Sequence, residues 1–323
     1  MMGWTDRHNR YFMRLISRHA RLYTQMLTAR AILFGDRKKL LDFDAAEHPL
    51  ALQVGGSNVE EMTECARLAE AWGYDEVNIN VGCPSYRVQS GYFGACLMKE
   101  PNVVARCLEA MSRVVRIPIT VKCRTGIDEQ IAEETLPKFI HFLANAGCDV
   151  FIIHARKALL SGLSPVENRT IPPLNYPLVK AIKSLRPDLT IVLNGGLSRL
   201  EEAKTHLLEV DGIMMGRAIY QIPWILSEID SEIFQDPKLP CTRENVLSAM
   251  IEYSSQKTKE GVPLKSITRH MMGLFHSEPG GRSWRRILSE EARLDNAGPE
   301  VIRKAAGIAL QNQSAATKMR VTQ

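Results

Sequence analysis

Between residues 22 and 217, short β-branched and aliphatic runs alternate with stretches whose apolar residues recur three and four apart. The first pattern belongs to strands and the second to helices. It predicts strands over Leu22–Leu27, Leu50–Val54, Glu76–Val81, Ile117–Arg124, Val150–His154, Leu189–Asn194 and Gly212–Gly216. Helices are predicted over Val59–Trp72, Pro101–Val115, Ala132–Ala146, Tyr176–Leu185 and Leu200–Glu209. Such alternation implies a parallel sheet with right-handed crossovers. No GxGxxG follows any strand, so a dinucleotide-binding doubly wound sheet is unsupported. An α/β fold of the (β/α)8 TIM-barrel type fits, with seven strands legible and one to be found.

After Ile233 the period becomes helical throughout, as in Val246/Met250/Tyr253 and Trp284/Ile287/Leu288, with Pro and Gly at 263, 279–281 and 298–299 as punctuation. The expected organisation is a barrel over residues 1–233, a small C-terminal helical domain over 234–312 and a flexible tail over 313–323. In "PGGRSWRR", Trp284 is read as a core residue of a helix start.

The barrel reading makes a demand on polar positions, because function gathers where strands end at the C-terminal mouth. Gln53, Asn78 and Asn80, then Thr120, Lys122 and Arg124, then His154 and Asn194, fall at the last inward positions of five strands. One such residue is commonly a satisfied core group; five strand ends together describe a polar ligand site. With the missing strand counted as the first, "LNGGLS" ends strand seven of the barrel and "MMGRAI" strand eight, each running into a helix. Glycine allows backbone N–H groups close to an anion, and a helix N-terminus favours negative charge. Gly195, Gly196 and Gly216, with Arg217 beside them, therefore read as a phosphate cradle.

Composition changes this picture little. The chain has 323 residues, 45% hydrophobic and 24% charged, which is ordinary globular usage. No apolar run approaches the ~18–20 residues of a membrane span, and no signal peptide is read at the N-terminus. Seven cysteines, an odd number without a CxxC pair, suit free thiols in a reducing cytoplasm, with no metal site. Charge adds more. Residues 237–323 hold 14 Lys and Arg against 8 Asp and Glu, whereas the whole chain is only +5. A localised basic excess marks either a polyanion-binding face or a solvated helical surface.

One thiol stands apart. Cys83 ends an apolar run in "NINVGCPSYRVQSGYFG", between Gly82 and Pro84. Pro84 biases it toward extended backbone, and Gly91 and Gly94 are expected to let the following loop open and close. A free Cys is usually a small buried hydrophobe, yet the end of a strand is not a core position.

Taken together, "LQVGGSN", "NINVGCP", "VKCRTGID", "IIHARKALLSGLSPVENR", "NGG", "MGRA" and "RHMMGLF…PGGRSWRR" resemble the motifs of tRNA-dihydrouridine synthases over nearly the whole chain. "HARKALLSGLSP" is similar to the A subfamily in particular. The resemblance implies reduction of the C5=C6 bond of D-loop uridines at position 20 and 20a of tRNA, with FMN as hydride donor and NADPH as reductant. It implies that Gln53, Lys122 and His154 contact the flavin and that Asn194, Gly195, Gly196, Gly216 and Arg217 hold its phosphate. Cys83 becomes the acid that protonates C5, since a thiol of pKa ~8.5 is mostly protonated at neutral pH. Asn80 is placed beside the target base, Arg124 approaches the base or the flavin, and Lys157, Asn168 and Arg169 grip the RNA backbone around the base. Arg282, Arg285 and Arg286 grip the RNA, and the uracil is turned out of the tRNA fold to reach the mouth. A monomer is expected.

The family's first strand, which leads into a turn touching the flavin, is not found. "MMGWTD" resembles the turn itself, making Met1 and Met2 candidate flavin contacts. The expectation is that translation begins upstream of Met1 or that the barrel closes imperfectly. Other readings explain less. A small-molecule ene-reductase or dihydroorotate-type dehydrogenase leaves the basic helical region idle. A catalytically silent tRNA-binding homologue predicts no bound flavin, as does a phosphate-sugar lyase or isomerase.

Overall fold

The computed structural model describes the chain except residues 239, 240, 322 and 323, and describes 314–321 by backbone alone. One all-parallel sheet is built from β1 (Leu22–Tyr23), β2 (Leu27–Thr28), β3 (Leu50–Gly55), β4 (Glu76–Val81), β5 (Ile119–Arg124), β6 (Val150–His154), β7 (Thr190–Asn194) and β8 (Gly212–Met214). β1 and β2 both lie along β3, Leu22 opposite Leu50 and Thr28 opposite Gly55, so they are two pieces of one interrupted strand. From β3 to β8 spatial order follows sequence order. Seven strand positions are thus filled, as the periodicity predicts. Among the described residues no pairing joins β8 to β1, so the barrel wall stays open at one seam.

Helices Val59–Trp72, Pro101–Ser112, Ala132–Asn145, Tyr176–Leu185 and Leu200–Leu207 return the chain between strands. β3 and β4 are buried along their whole length. This is the signature of a parallel sheet covered on both faces. Leu52, Val54, Val77, Ile79, Val121, Phe151, Ile153 and Ile191 form the centre of this core. Polar residues occupy every second position of β4: Glu76, Asn78 and Asn80.

The chain divides into two units. The first comprises Met1–Met2 with Arg21–Gly216; the second comprises Gly3–Ala20 with the chain from Arg217 onward. The boundary expected at residue 233 therefore falls inside the second unit. That unit also recruits an N-terminal helix, Arg7–Ile16, which the sequence reading did not anticipate. The Asp6 carboxylate caps it by accepting from the His8 and Asn9 N–H groups. The helix buries Phe12, Met13 and Ile16, and Tyr11 stacks on Tyr253 at 4.1 Å. Further on, Trp284 in the helix Gly281–Glu291 is fully buried, as expected. Its indole N–H donates to the Met271 carbonyl at 2.9 Å, and its ring packs 5.1 Å from Phe275.

The expected tail coincides with the end of a helix. The last helix runs Glu300–Val321 and so carries most of residues 313–323, while 322 and 323 lie outside the described residues. Neither Pro nor Gly falls between 313 and 321, and Ala, Gln, Lys, Met and Arg there are good helix formers.

Candidate functional site

At the C-terminal ends of the strands, the sheet register aligns the polar residues in rows. Gln53 stands opposite Asn78 and Asn78 opposite Thr120; Asn80 stands opposite Lys122; Arg124, His154 and Asn194 are consecutive partners. The five strand ends singled out in the sequence do converge on one mouth.

A hydrogen-bonded chain links them. The Gln53 amide nitrogen donates to Asn78 Oδ1 at 2.8 Å, and Asn78 Nδ2 donates to Thr120 Oγ1 at 2.8 Å. In the other direction Asn80 Nδ2 donates to Gln53 Oε1 at 2.9 Å. Asn80 Oδ1 then accepts from the backbone N–H groups of Gly82 and Cys83, at 3.1 and 3.0 Å. At the opposite end the Thr120 hydroxyl donates to Glu76 Oε1 at 2.6 Å. The buried Glu76 carboxylate also accepts from Tyr23 Oη at 3.1 Å and pairs with Arg21 Nη1 at 2.8 Å. Thr24 supports β3 by accepting from the Gln53 N–H at 3.0 Å. Glu76, Tyr23 and Thr24 escaped the sequence reading, although alternation of Glu76, Asn78 and Asn80 along one strand was a usable signal.

Cys83 is partly exposed at the head of this chain. The segment after it is more ordered than a loop. Tyr86–Ser90 forms a short helix and Gly94–Lys99 a 3-10 helix. Gly94, at φ +78°, leaves no room for a side chain, because a Cβ there would lie 2.4 Å from Val88 Cγ1 and 2.6 Å from the Cys83 carbonyl. A Cβ at Gly91 would lie 2.4 Å from the Phe93 ring. The glycines expected to give the segment freedom instead permit tight packing. Gln89 adds a staple, its amide nitrogen donating to the carbonyls of Pro84 and Leu160, both at 2.8 Å.

Across the mouth, Lys122 Nζ donates to Asn194 Oδ1 at 3.0 Å, and Asn194 Nδ2 donates to the Met214 carbonyl at 2.7 Å. Burial, and after it the Arg124 charge, pushes the Lys122 ammonium down to about 8. Burial likewise pushes Arg124 down to about 10. The Arg124 guanidinium is turned onto backbone carbonyls, those of Gly82 at 3.1 Å, Asn168 at 2.9 Å and Lys157 at 3.3 Å. It therefore ties the Cys83 turn to the segment after β6.

Gly195 and Gly196, at φ +110° and +74°, form a positive-φ pair after β7. A Cβ on Gly195 would lie 2.4 Å from His154 Cδ2, and one on Gly196 would lie 2.5 Å from Leu174 Cδ1. Tyr176 Oη fixes the turn by donating to the Gly195 carbonyl at 2.7 Å. Gly216 lies against Met1, whose sulfur would be 3.3 Å from a Cβ at that position. Met2 is largely exposed. Arg217 follows directly and begins the short helix Arg217–Gln221 of the second unit.

Asn168 is held differently from its neighbours. It is fully buried, and its amide is satisfied by the surrounding backbone. Oδ1 accepts from the Leu159 N–H at 2.7 Å, while Nδ2 donates to the carbonyls of Leu159 and Leu163 at 2.9 and 3.2 Å. Its side chain pins the segment. Lys157 and Arg169 in the same segment keep partial exposure. In the second unit Arg282, Arg285 and Arg286 are exposed on the helix that buries Trp284. Arg285 also lines a groove of about 720 Å³ with Arg269, His276 and Tyr220.

The family model "Dihydrouridine synthase (Dus)" matches residues 1–311. The chain is 54% identical over 305 residues to the tRNA-dihydrouridine(20/20a) synthase of Shewanella oneidensis, covering 94% of this chain and 91% of that one. It is 52% identical over 306 residues to the enzyme of that name from Escherichia coli K12, covering 94% and 88%. Identity to the Synechocystis sp. enzyme of that name is 49% over 305 residues, covering 94% and 91%.

Proposed function

The chain belongs to the dihydrouridine synthase family, and from that premise we propose that it reduces uridine in tRNA to 5,6-dihydrouridine, at position 20 and at 20a of the D-loop. The observation that carries this reading is the Cys83 turn, held by Asn80 and Arg124 at the mouth that Lys122 and Asn194 line.

FMN fits the residues present. The positive-φ pair Gly195–Gly196 and the bare Gly216 offer backbone without Cβ atoms, as close approach to a phosphate requires. Gln53, Lys122 and His154 supply polar and cationic groups for the ring, and Arg217 and Met1 follow as neighbours of the cradle. FMN bound there supplies the hydride for C6 of the uracil, with NADPH as its reductant.

The remaining chemistry belongs to the protein. Charge that develops at C5 and O4 of the ring needs a proton at C5, and the Cys83 thiol donates it. A positioned general acid contributes on the order of 10²–10⁴ in rate. Asn80 orients the base while its own carbonyl holds the Cys83 turn. A uracil inside folded tRNA has to be turned out to reach this mouth. Lys157, Arg169 and the exposed Arg282, Arg285 and Arg286 attract the RNA backbone. Such a substrate places the activity in the cytoplasm.

The decisive experiment supplies FMN, NADPH and tRNA lacking D-loop modification, with Cys83→Ala in parallel. Dihydrouridine at position 20 with the wild type and little with Cys83→Ala supports both substrate and acid. Cofactor reduction with no altered uridine overturns the substrate assignment in favour of a small-molecule reductase. Failure to bind FMN overturns the cradle.

A further inference from the structure

The hydrogen-bonded chain from Glu76 to the Cys83 turn has a direction, and we propose that Glu76 sets it, acting from the far end of β4 as the residue that orients the amides of Asn78, Gln53 and Asn80. The role of this relay in the reaction rests on the function proposed above. Its existence does not, and it is tested without flavin turnover or tRNA.

The physical case starts from which groups can only accept. A carboxylate paired with a guanidinium has no proton to offer, so Glu76 Oε1 requires Thr120 to donate. The Thr120 oxygen is then left to accept, and Asn78 must turn its nitrogen toward it. That presents Asn78 Oδ1 to Gln53, which must answer with nitrogen. Gln53 Oε1 is left for Asn80, whose nitrogen meets it and whose oxygen is thereby aimed at the Gly82 and Cys83 N–H groups. Each amide has two orientations that differ only in exchanging O for N, and packing alone scarcely distinguishes them. The acceptor at the base of the strand and the two fixed donors at its tip agree on one of them.

This arrangement answers a question that the fold raises. The N-terminal ends of barrel strands are ordinarily concerned with stability and the C-terminal ends with chemistry. A buried carboxylate at the start of β4 is costly unless satisfied, and Glu76 is satisfied by Arg21, Tyr23 and Thr120. Through the relay it also determines that an oxygen of Asn80, rather than a nitrogen, faces the turn that carries Cys83. Glu76 is thus a positioning residue and touches no reacting atom itself.

Direction can be tested by reversing both ends. Asn80→Asp puts a second pure acceptor at the tip, so Gln53 and Asn78 must rotate and the Thr120 oxygen is driven against the Glu76 carboxylate. Adding Glu76→Gln removes the conflict. The nitrogen of the introduced amide donates to Thr120 and to the Tyr23 hydroxyl oxygen, which rotates from donor to acceptor, its oxygen accepts from Arg21, and the inverted relay is satisfied. Residues four apart on a strand are ~13 Å apart, a separation at which substitutions normally add.

The measurement is the thermal midpoint of the full chain, with and without FMN, for wild type, both single variants and the double variant. The relay predicts a sign reversal. Glu76→Gln lowers or leaves the midpoint of the wild type, yet raises that of Asn80→Asp by about 3 °C or more, the equivalent of one buried hydrogen-bonding conflict relieved. Asn80→Asp with Glu64→Gln, equal in net charge but off the relay, shows no recovery. Additive effects in the cycle, or equal recovery with Glu64→Gln, overturn the proposal. Should Asn80→Asp not fold, Asn78→Asp makes Thr120 serve two carboxylates one link nearer. Glu76→Gln must then restore that variant, and failure to do so overturns the proposal equally. None of these outcomes depends on dihydrouridine formation.

Discussion

Lys122 and Asn194 meet across the mouth at 3.0 Å although β5 and β7 are separated by β6. His154, the sheet partner of Asn194, ends the strand between them. A cation, an amide and an imidazole are thereby gathered beside the Gly195–Gly196 turn, where they can recognise a ring and its phosphate together.

The turn is intolerant of a side chain. Gly195→Ala places a methyl 2.4 Å from His154 Cδ2 at a φ of +110°. Both strain and clash oppose it, and backbone strain alone costs ~1–3 kcal/mol. FMN affinity, followed by quenching of flavin fluorescence, is expected to fall by tenfold or more, while the conservative Tyr176→Phe loses less.

Lys122 gives a signed pH dependence. Burial first and Arg124 second hold its folded-state pKa at about 8, below the ~10.4 of an unfolded lysine. Between those values the unfolded chain binds more protons, so this group's contribution to stability rises with pH across that window. Buried Cys65, Cys107, Cys123 and Cys148, whose thiols burial pushes up to between about 11 and 12, act in the opposite sense above ~8.5. The difference between wild type and Lys122→Met isolates the lysine. In denaturant titrations of the flavin-free protein from pH 7.5 to 10.5, that variant is expected to lose the rising component.

Asn168 is a structural pin. Asn168→Ala leaves the Leu159 N–H and two carbonyls without their partner, a cost of ~1–3 kcal/mol. Limited proteolysis within residues 157–170 is expected to accelerate. Direct loss of an RNA contact would instead leave proteolysis unchanged.

His8 makes the second unit acid-sensitive. Its Nδ1 lies 2.7 Å from Tyr253 Oη, and burial, only partly offset by Asp6, pushes its pKa down to about 4. The folded state therefore prefers the neutral ring. Its contribution is complete above ~6.5 and is lost as pH falls toward 4. In His8→Gln, the decline of the thermal midpoint between pH 6.5 and 4.5 is expected to be shallower.

The arginine helix predicts a salt effect. Each phosphate contact removed lowers the slope of log affinity against log salt by ~0.7–0.9. Replacing Arg282, Arg285 and Arg286 together by Ala is expected to reduce the slope for tRNA binding by about 2. An unchanged slope would show that this face does not meet RNA.

Periodicity along the chain was enough to determine the parallel sheet, its seven strand positions and the convergence of Gln53, Asn80, Lys122, His154 and Asn194, because alternation fixes which side chains share a face once strand direction is known. The lone Cys83 at a strand end was equally legible, since a chain-local pattern carries it. Partnership was not. Whether Asn168 meets a ligand or pins its own backbone, and whether Gly91 and Gly94 loosen or tighten a segment, depends on atoms brought together from distant parts of the chain. The same holds for Arg7–Ile16, whose apolar face finds its partners more than two hundred residues later, at Tyr253. Glu76 shows the division most clearly: its spacing from Asn78 and Asn80 is written in β4. Only the fold, by adding Thr120 from β5 and Gln53 from β3, turns that spacing into a directed chain of hydrogen bonds.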